Sequence, residues 1–223
     1  MIKKIHALIM ICFCLLVAGC SSTDRQHVIV HGALKHLGCS ELHLNYFDKD
    51  HNICNDTIFS TGSGKFEFKI DATEEVSPIT IYFQDFKCWT TLFAQAGDDI
   101  QISGDIELVD LLTIKGGIVN NDLTRFKQDI KPLYVERQEI INGKYQNGGE
   151  SIEVRLAEID LALKRKAKQF IAENPFSVAS VVLIQDFFYQ DYDPTTSELI
   201  ELLKGDAQKS HLTAKLKEGM ASW

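Results

Sequence analysis

The stretch Thr61-Gly62-Ser63-Gly64-Lys65-Phe66-Glu67-Phe68-Lys69-Ile70 decides the fold. Phe66, Phe68 and Ile70 alternate with Lys65, Glu67 and Lys69, the period of two that sends successive side chains to opposite faces of a strand. The glycine-bearing run before it is the connection of a hairpin, whose other arm is the strand expected over 56–60. A strand apolar on one face and charged on the other belongs to a sheet that buries one side only.

Working toward the N-terminus, residues 27–34 and 41–47 read the same way. In the second, Leu42, Leu44 and Tyr46 alternate with Glu41, His43 and Asn45. Working toward the C-terminus, 79–83, 88–95, 100–103 and 108–115 continue the series, with the turn Ala96-Gly97-Asp98-Asp99 between two of them. Short strands with no helical periodicity among them predict an antiparallel β-sandwich or open barrel over 27–116. With no crossover helices between strands, a parallel sheet is not expected.

From Gly117 the period changes to that of helices, so the fold class is α+β, the sheets first and a C-terminal α-helical bundle over 117–223 after them. Asn120 and Asn121 offer a cap before Leu123, Phe126, Ile130 and Leu133, and Asn142-Gly143 a stop. Pro132 is expected to kink or split this first helix. After Gly148-Gly149, Ile152, Leu156, Ile159, Leu163 and Phe170 form one buried stripe, with Glu153 near its start and Lys164, Arg165, Lys166 and Lys168 toward its end. Asn174-Pro175 ends that helix. The next, over 176–189, is apolar nearly all round and should lie at the centre of the packing. Asp193-Pro194 opens a fourth, with Thr195 and Glu198 as a capping box, and 207–220 makes a fifth.

The N-terminus carries a different message. Lys3 and Lys4, the apolar run over 7–17 and small residues before Cys20 are the three parts of an export signal. The run is shorter than the roughly 20 residues of a membrane span. Leu16-Val17-Ala18-Gly19-Cys20 resembles the lipobox of bacterial lipoproteins. The resemblance implies removal of 1–19, diacylation of the Cys20 sulfur, and a tether over 20–26 that holds the body to a membrane. Acyl chains contributing about 0.8 kcal/mol per buried methylene make a stable anchor without a span. Ser21 in place of Asp after the lipid site points to the outer membrane, and the body is expected on its periplasmic face.

Loss of Lys3 and Lys4 takes the formal charge from −8 to −10. Residues 20–115 hold 15 acidic and 7 basic side chains, and residues 116–223 hold 16 and 14. Neither half has the basic stripe a nucleic-acid partner needs. Three cysteines follow the lipid site, Cys39, Cys54 and Cys88, with no C-x-x-C spacing. Free thiols are the first expectation, and a bridge such as Cys39 to Cys54 is the alternative an exported compartment permits.

Gly32, Gly64-Lys65-Phe66-Glu67-Phe68, Phe93 with Gly97-Asp98-Asp99-Ile100, and Leu112-Thr113-Ile114-Lys115-Gly116 resemble the N-terminal domain of unknown function of Bacteroidetes lipoproteins. Phe170-Ile171-Ala172-Glu173-Asn174-Pro175-Phe176-Ser177 is similar to the helical linker that joins it to a thioredoxin-like domain. In those relatives a C-x-x-C-bearing domain follows and carries disulfide-reductase activity. This chain reaches Trp223 where that domain would begin, so no catalytic residue carries over from the resemblance.

The chain contains no G-x-S-x-G elbow, no H-E-x-x-H and no phosphate-binding glycine loop, and no catalytic residue or cofactor is assigned. His27, His31, His36, Cys39 and His43 crowd into a short span. Histidines scattered on an exposed strand are commoner than a metal site, and no metal ligand is assigned. Asp48-Lys49-Asp50-His51-Asn52 and Asp98-Asp99 read as turns in which Asp and Asn satisfy local backbone donors. Tyr82, Phe83, Phe86 and Trp89 are core aromatics or, alternatively, the lining of a ligand groove. Two functions are carried forward. The first is an envelope lipoprotein, anchored through Cys20, that binds a small ligand or an envelope protein without catalysis. The second is the accessory half of a truncated or split thioredoxin-like thiol-disulfide oxidoreductase.

Overall fold

A computed structural model describes residues 27–144, 151–190 and 193–221. The export signal, Cys20, the Gly148-Gly149 break and Trp223 lie outside the described residues.

Eight strands form two four-stranded sheets: β1 (His27–Lys35), β2 (Glu41–Phe47), β3 (Ile53–Phe59), β4 (Lys65–Asp71), β5 (Ser77–Phe83), β6 (Cys88–Ala94), β7 (Asp99–Asp105) and β8 (Thr113–Lys115). One sheet has the order β4-β1-β7-β8 and the other β3-β2-β5-β6. The alternation in the sequence does its work: Val28, Val30, Phe66, Phe68, Ile70, Ile100 and Ile102 from one sheet meet Leu42, Leu44, Ile79, Ile81, Phe83 and Leu92 from the other in a single core. The result is an open β-sandwich.

Two pairings depart from expectation. The strands on either side of 61–64 are not the arms of one hairpin, because the connection crosses from sheet to sheet: β3 pairs with β2 in one and β4 with β1 in the other. β1 and β7 run parallel, with Val30 opposite Ile100 and Gly32 opposite Ile102. A parallel pair needs a long crossover, usually a helix. Here strands make the crossover, β2, β3, β5 and β6 in the opposite sheet and β4 in the same one, so the absence of a helical signal did not exclude it. The strand expected over 108–115 is also corrected. Ile106–Leu111 is a 3-10 segment broken at Leu108, and only Thr113–Lys115 is strand. Ile106, Val109 and Leu112 recur every third residue and all turn toward the core, which suits three residues per turn rather than alternation.

The helical half comprises α1 (Ile118–Ile141), α2 (Ile152–Glu173), α3 (Val178–Ile184), α4 (Thr196–Leu202), α5 (Gly205–Lys209) and α6 (His211–Met220). As the composition predicts, α3 is the centre: Ala179 through Ile184 are all buried. It starts two residues later than expected because Ser177 caps it, its Oγ accepting from Ala179 N at 3.2 Å. It continues through a π-turn, Gln185–Tyr189. Three other expectations are corrected. Pro132 sits inside α1 without splitting it, and Gln128, whose carbonyl the proline leaves without a donor, lies on the exposed side. Thr195 makes no side-chain cap for α4; Asp193 Oδ1 accepts from Thr195 N at 3.0 Å instead. The helix expected over 207–220 is two, divided at Ser210, whose Oγ accepts from Thr213 N at 3.2 Å and starts α6.

Asn120 does not cap α1 but lies buried in its first turn. Its Oδ1 accepts from Phe93 N at 2.9 Å and its Nδ2 donates to Phe93 O at 2.7 Å. One turn on, Thr124 Oγ1 accepts from Ile114 N at 3.1 Å and donates to Ile114 O at 2.7 Å. Phe93 and Ile114 belong to β6 and β8, an edge strand of each sheet. One face of α1 therefore satisfies both edges and shields them from strand addition. This clasp sets α1 across the outside of β6 and creates the cleft described next.

Candidate functional site

The cleft lies between the outer face of β5 and β6, the helices α1 and α3, and the 3-10 segment, and has a volume of about 570 Å³. The sheet contributes Pro78, Thr80, Trp89 and Thr91; α1 contributes Leu123, Lys127 and Tyr134; the π-turn contributes Gln185 and Asp186; the 3-10 segment contributes Asp110. Leu123, Lys127, Ile130 and Tyr134 stand at spacings of four, three and four, so they share the α1 face turned to the cleft. The π-turn places Asp186 opposite, and such turns recur at functional positions in helices.

Burial pulls the Lys127 ammonium below its ordinary range, against the opposing charges of Asp110 and Asp186. Burial pushes the Asp186 carboxyl up to about 6, although Lys127 draws it down. Asp186 is open to solvent on one side and crowded by protein on the others. Tyr134 rises to about 12, from burial first and then the charges of Asp110 and Asp186. Among the described residues no salt bridge within 4.0 Å joins Lys127 to a carboxylate. Two opposite charges, half-buried Lys127 and Asp186 with one side in solvent, thus face one cleft without neutralising each other by contact. No histidine lines it.

The sequence did not single out Lys127, Asp186 or Tyr134. A signal was there for two of them. Lys127 interrupts an apolar helical stripe, and Asp186 is the one charged residue in the stretch from Phe176 to Tyr189.

The residues that sequence reading did name are dispersed. His31 pairs with Glu67 at 3.1 Å and Asp99 at 3.6 Å, His27 with Asp71, and His36 with Asp105 at 2.8 Å. Cys39 Sγ donates to Ser60 O at 3.4 Å. His43 lies on the other sheet, stacked on Phe86 with ring centroids 4.3 Å apart. His36 does meet Asp105 and Glu107, their donor atoms within 4.8 Å of one another. Asp105 is occupied there in local structure, accepting from Glu107 N at 3.1 Å, and its hydrogen bond holds His36 above its ordinary range. The acidic turns behave as read: Asp48 Oδ1 accepts from Asp50 N at 2.8 Å and Asn52 N at 2.9 Å. Cys39, Cys54 and Cys88 are free thiols.

The four aromatics divide. Phe83 is wholly buried in the sandwich, whereas Phe86 and Trp89 are 56% and 58% exposed. Trp89 lines the cleft, and Tyr82 and Phe86 continue outward from it along the sheet.

No protein-family model matches this chain, and no curated protein matches it.

Proposed function

We propose that the chain is an envelope lipoprotein, anchored through a lipid on Cys20 to the outer membrane and facing the periplasm, whose body binds a ligand in the cleft between sandwich and helices. The observation that carries the binding role is that half-buried Lys127 and solvent-reaching Asp186 face one cleft as opposite charges, with no salt bridge between them among the described residues. Burying a charge without direct pairing destabilises a fold, and sites that keep such charges do so for what they bind. Binding rather than turnover is the better reading. Nucleophilic catalysis needs a nucleophile hydrogen-bonded to a base, and no histidine stands beside the threonines of the cleft. For the anchor, the lipobox-like run before Cys20 supports the reading.

Each half has its own test. Labelled palmitate is expected to enter the full chain and to be lost with Cys20→Ser, with the protein leaving the membrane fraction. Label retained in the Cys20→Ser chain would end the anchor proposal. For the cleft, the combined change Lys127→Met and Asp186→Asn is expected to leave the thermal midpoint unchanged or raise it. A fall of several degrees would mean that the charges serve the fold and not a ligand.

A further inference from the structure

The outer face of the sheet β3-β2-β5-β6 carries two rows of side chains that run across all four strands. The first is Thr57, His43, Tyr82 and Trp89, each opposite the next in register. The second, one step along the strands on the same face, is Asn55, Asn45, Thr80 and Thr91. At a strand spacing of about 4.8 Å each row spans about 14 Å. Asn45 Nδ2 donates to Asn55 Oδ1 at 2.9 Å, and the Thr80 and Thr91 hydroxyls lie 3.1 Å apart.

Phe86 completes the aromatic row. It comes from the turn between β5 and β6, where Gln84, Asp85 and Phe86 have φ of 51°, 54° and 65°. Three consecutive residues with side chains in the left-handed region are disfavoured locally and persist only where the surroundings hold them. The turn folds Phe86 back over the sheet, its ring parallel to His43 within 8° and 5.1 Å from Tyr82. Strain thus places a ring that stays more than half exposed, which folding alone does not require.

Electrostatics selects among occupants. The eight residues of the two rows include no carboxylate, lysine or arginine, in a chain of formal charge −8, and Glu41, beyond His43 on the same face, lies 3.9 Å from the His43 ring. The outer face of the other sheet, by contrast, carries Lys65, Glu67, Lys69 and Asp71 on β4 alone. The strip at β3-β2-β5-β6 suits an uncharged ligand. It must also offer both an apolar face to the rings and hydrogen-bonding groups to the amide and hydroxyl row, since an apolar partner would bury that second row away from water.

We infer that this strip and the adjoining cleft bind a neutral glycan chain, its sugar rings stacked on Trp89, Tyr82 and Phe86 and its hydroxyls on Asn45, Thr80 and Thr91. A pyranose has a C–H face attracted to an aromatic π-face and a rim of hydroxyls. The interstrand step is comparable to the length of one sugar unit, so successive rings meet successive strands. At the Trp89 end the chain enters the cleft, where Lys127 donates and Asp186 accepts. The inference rests on the cleft reading above and names its ligand class.

The test uses the full chain, purified from membranes in a zwitterionic detergent, in native gels containing galactomannan, xylan or mixed-linkage β-glucan, with polygalacturonate as the charged control. At least one neutral polymer is expected to retard the protein and to change Trp89 fluorescence, a change that survives Trp223→Phe. Trp89→Ala and Phe86→Ala are each expected to weaken retardation by about tenfold with the thermal midpoint unchanged, because both side chains are largely exposed. Three results overturn the inference: no retardation by any of the three neutral polymers, retardation only by polygalacturonate, or retardation that both variants keep. The paired Lys127→Met and Asp186→Asn measurement reads the cleft independently, so a failure here with that result intact removes the glycan and leaves the cleft.

Discussion

Asn120 holds both backbone groups of Phe93, accepting from its N–H at 2.9 Å and donating to its C=O at 2.7 Å, so a side chain on α1 takes the place of a missing strand beside β6. The same Nδ2 donates to Gly116 O at 2.8 Å. Asn120→Ala strands these groups where water does not replace the amide, and is expected to cost about 3 kcal/mol. Asn120→Asp keeps the acceptor for Phe93 N–H but loses both donations, and should be no better. Urea unfolding of the two variants checks this. Wild-type stability in Asn120→Ala would show that the sheet edge does not depend on the clasp.

A second prediction concerns Gly32, inward-facing on β1 and opposite Phe66 on β4. The distal end of the Phe66 ring covers it, so that a Cβ at Gly32 would stand 2.0 Å from Phe66 Cζ. Both residues are buried in the sandwich core, so the ring has to shift against its packed neighbours to admit a methyl group. Gly32→Ala is expected to destabilise by about 1–3 kcal/mol through overpacking. Combining it with Phe66→Leu should cost less than the two changes summed, by about 1 kcal/mol, since the shorter side chain makes room for the methyl. Strict additivity in a double-mutant cycle would refute the contact.

These residues also show how far the sequence could be read. Phe66 and its alternating neighbours announced their strand, because one buried face is a local pattern with a local cause. The same holds for α3, whose apolar residues on every side predicted its central place. Asn120 was misread as a cap because a polar residue before an apolar helix ordinarily serves that end, and nothing nearby in sequence reveals that β6 passes within hydrogen-bonding reach. The parallel pairing of β1 with β7 was hidden for the same reason: its crossover is made of strands. The cleft was least legible of all. Lys127, Asp186 and Trp89 come from three elements that only tertiary packing brings together, and each reads separately as an ordinary exception on an apolar face.

The last prediction follows the Asp186 carboxyl through pH. Its value rises from the ordinary 3.8 to about 6 in the folded protein, chiefly through burial, with Lys127 acting against the rise. Between those two values the folded state holds more of this proton than the unfolded chain, so stability falls as pH rises through the window and levels off above it. The charged carboxylate is thus a cost at neutral pH that acid relieves. Asp186→Asn has no proton to bind and escapes the cost. Its thermal midpoint relative to the native chain should be near zero at about pH 4 and positive at about pH 7. Water at the open side of Asp186 screens the charge, so the gain at neutral pH is about 1 kcal/mol. Other groups that titrate between acid and neutral pH are common to both proteins and cancel in the difference. Lys127 is the charge that acts on this carboxylate, so the curve should be repeated in Lys127→Met, where the cost deepens because the one attractive charge is gone. A midpoint difference that stays flat from acid to neutral pH would show that the Asp186 carboxylate is solvated as an ordinary surface group, and that the cleft does not desolvate what it holds.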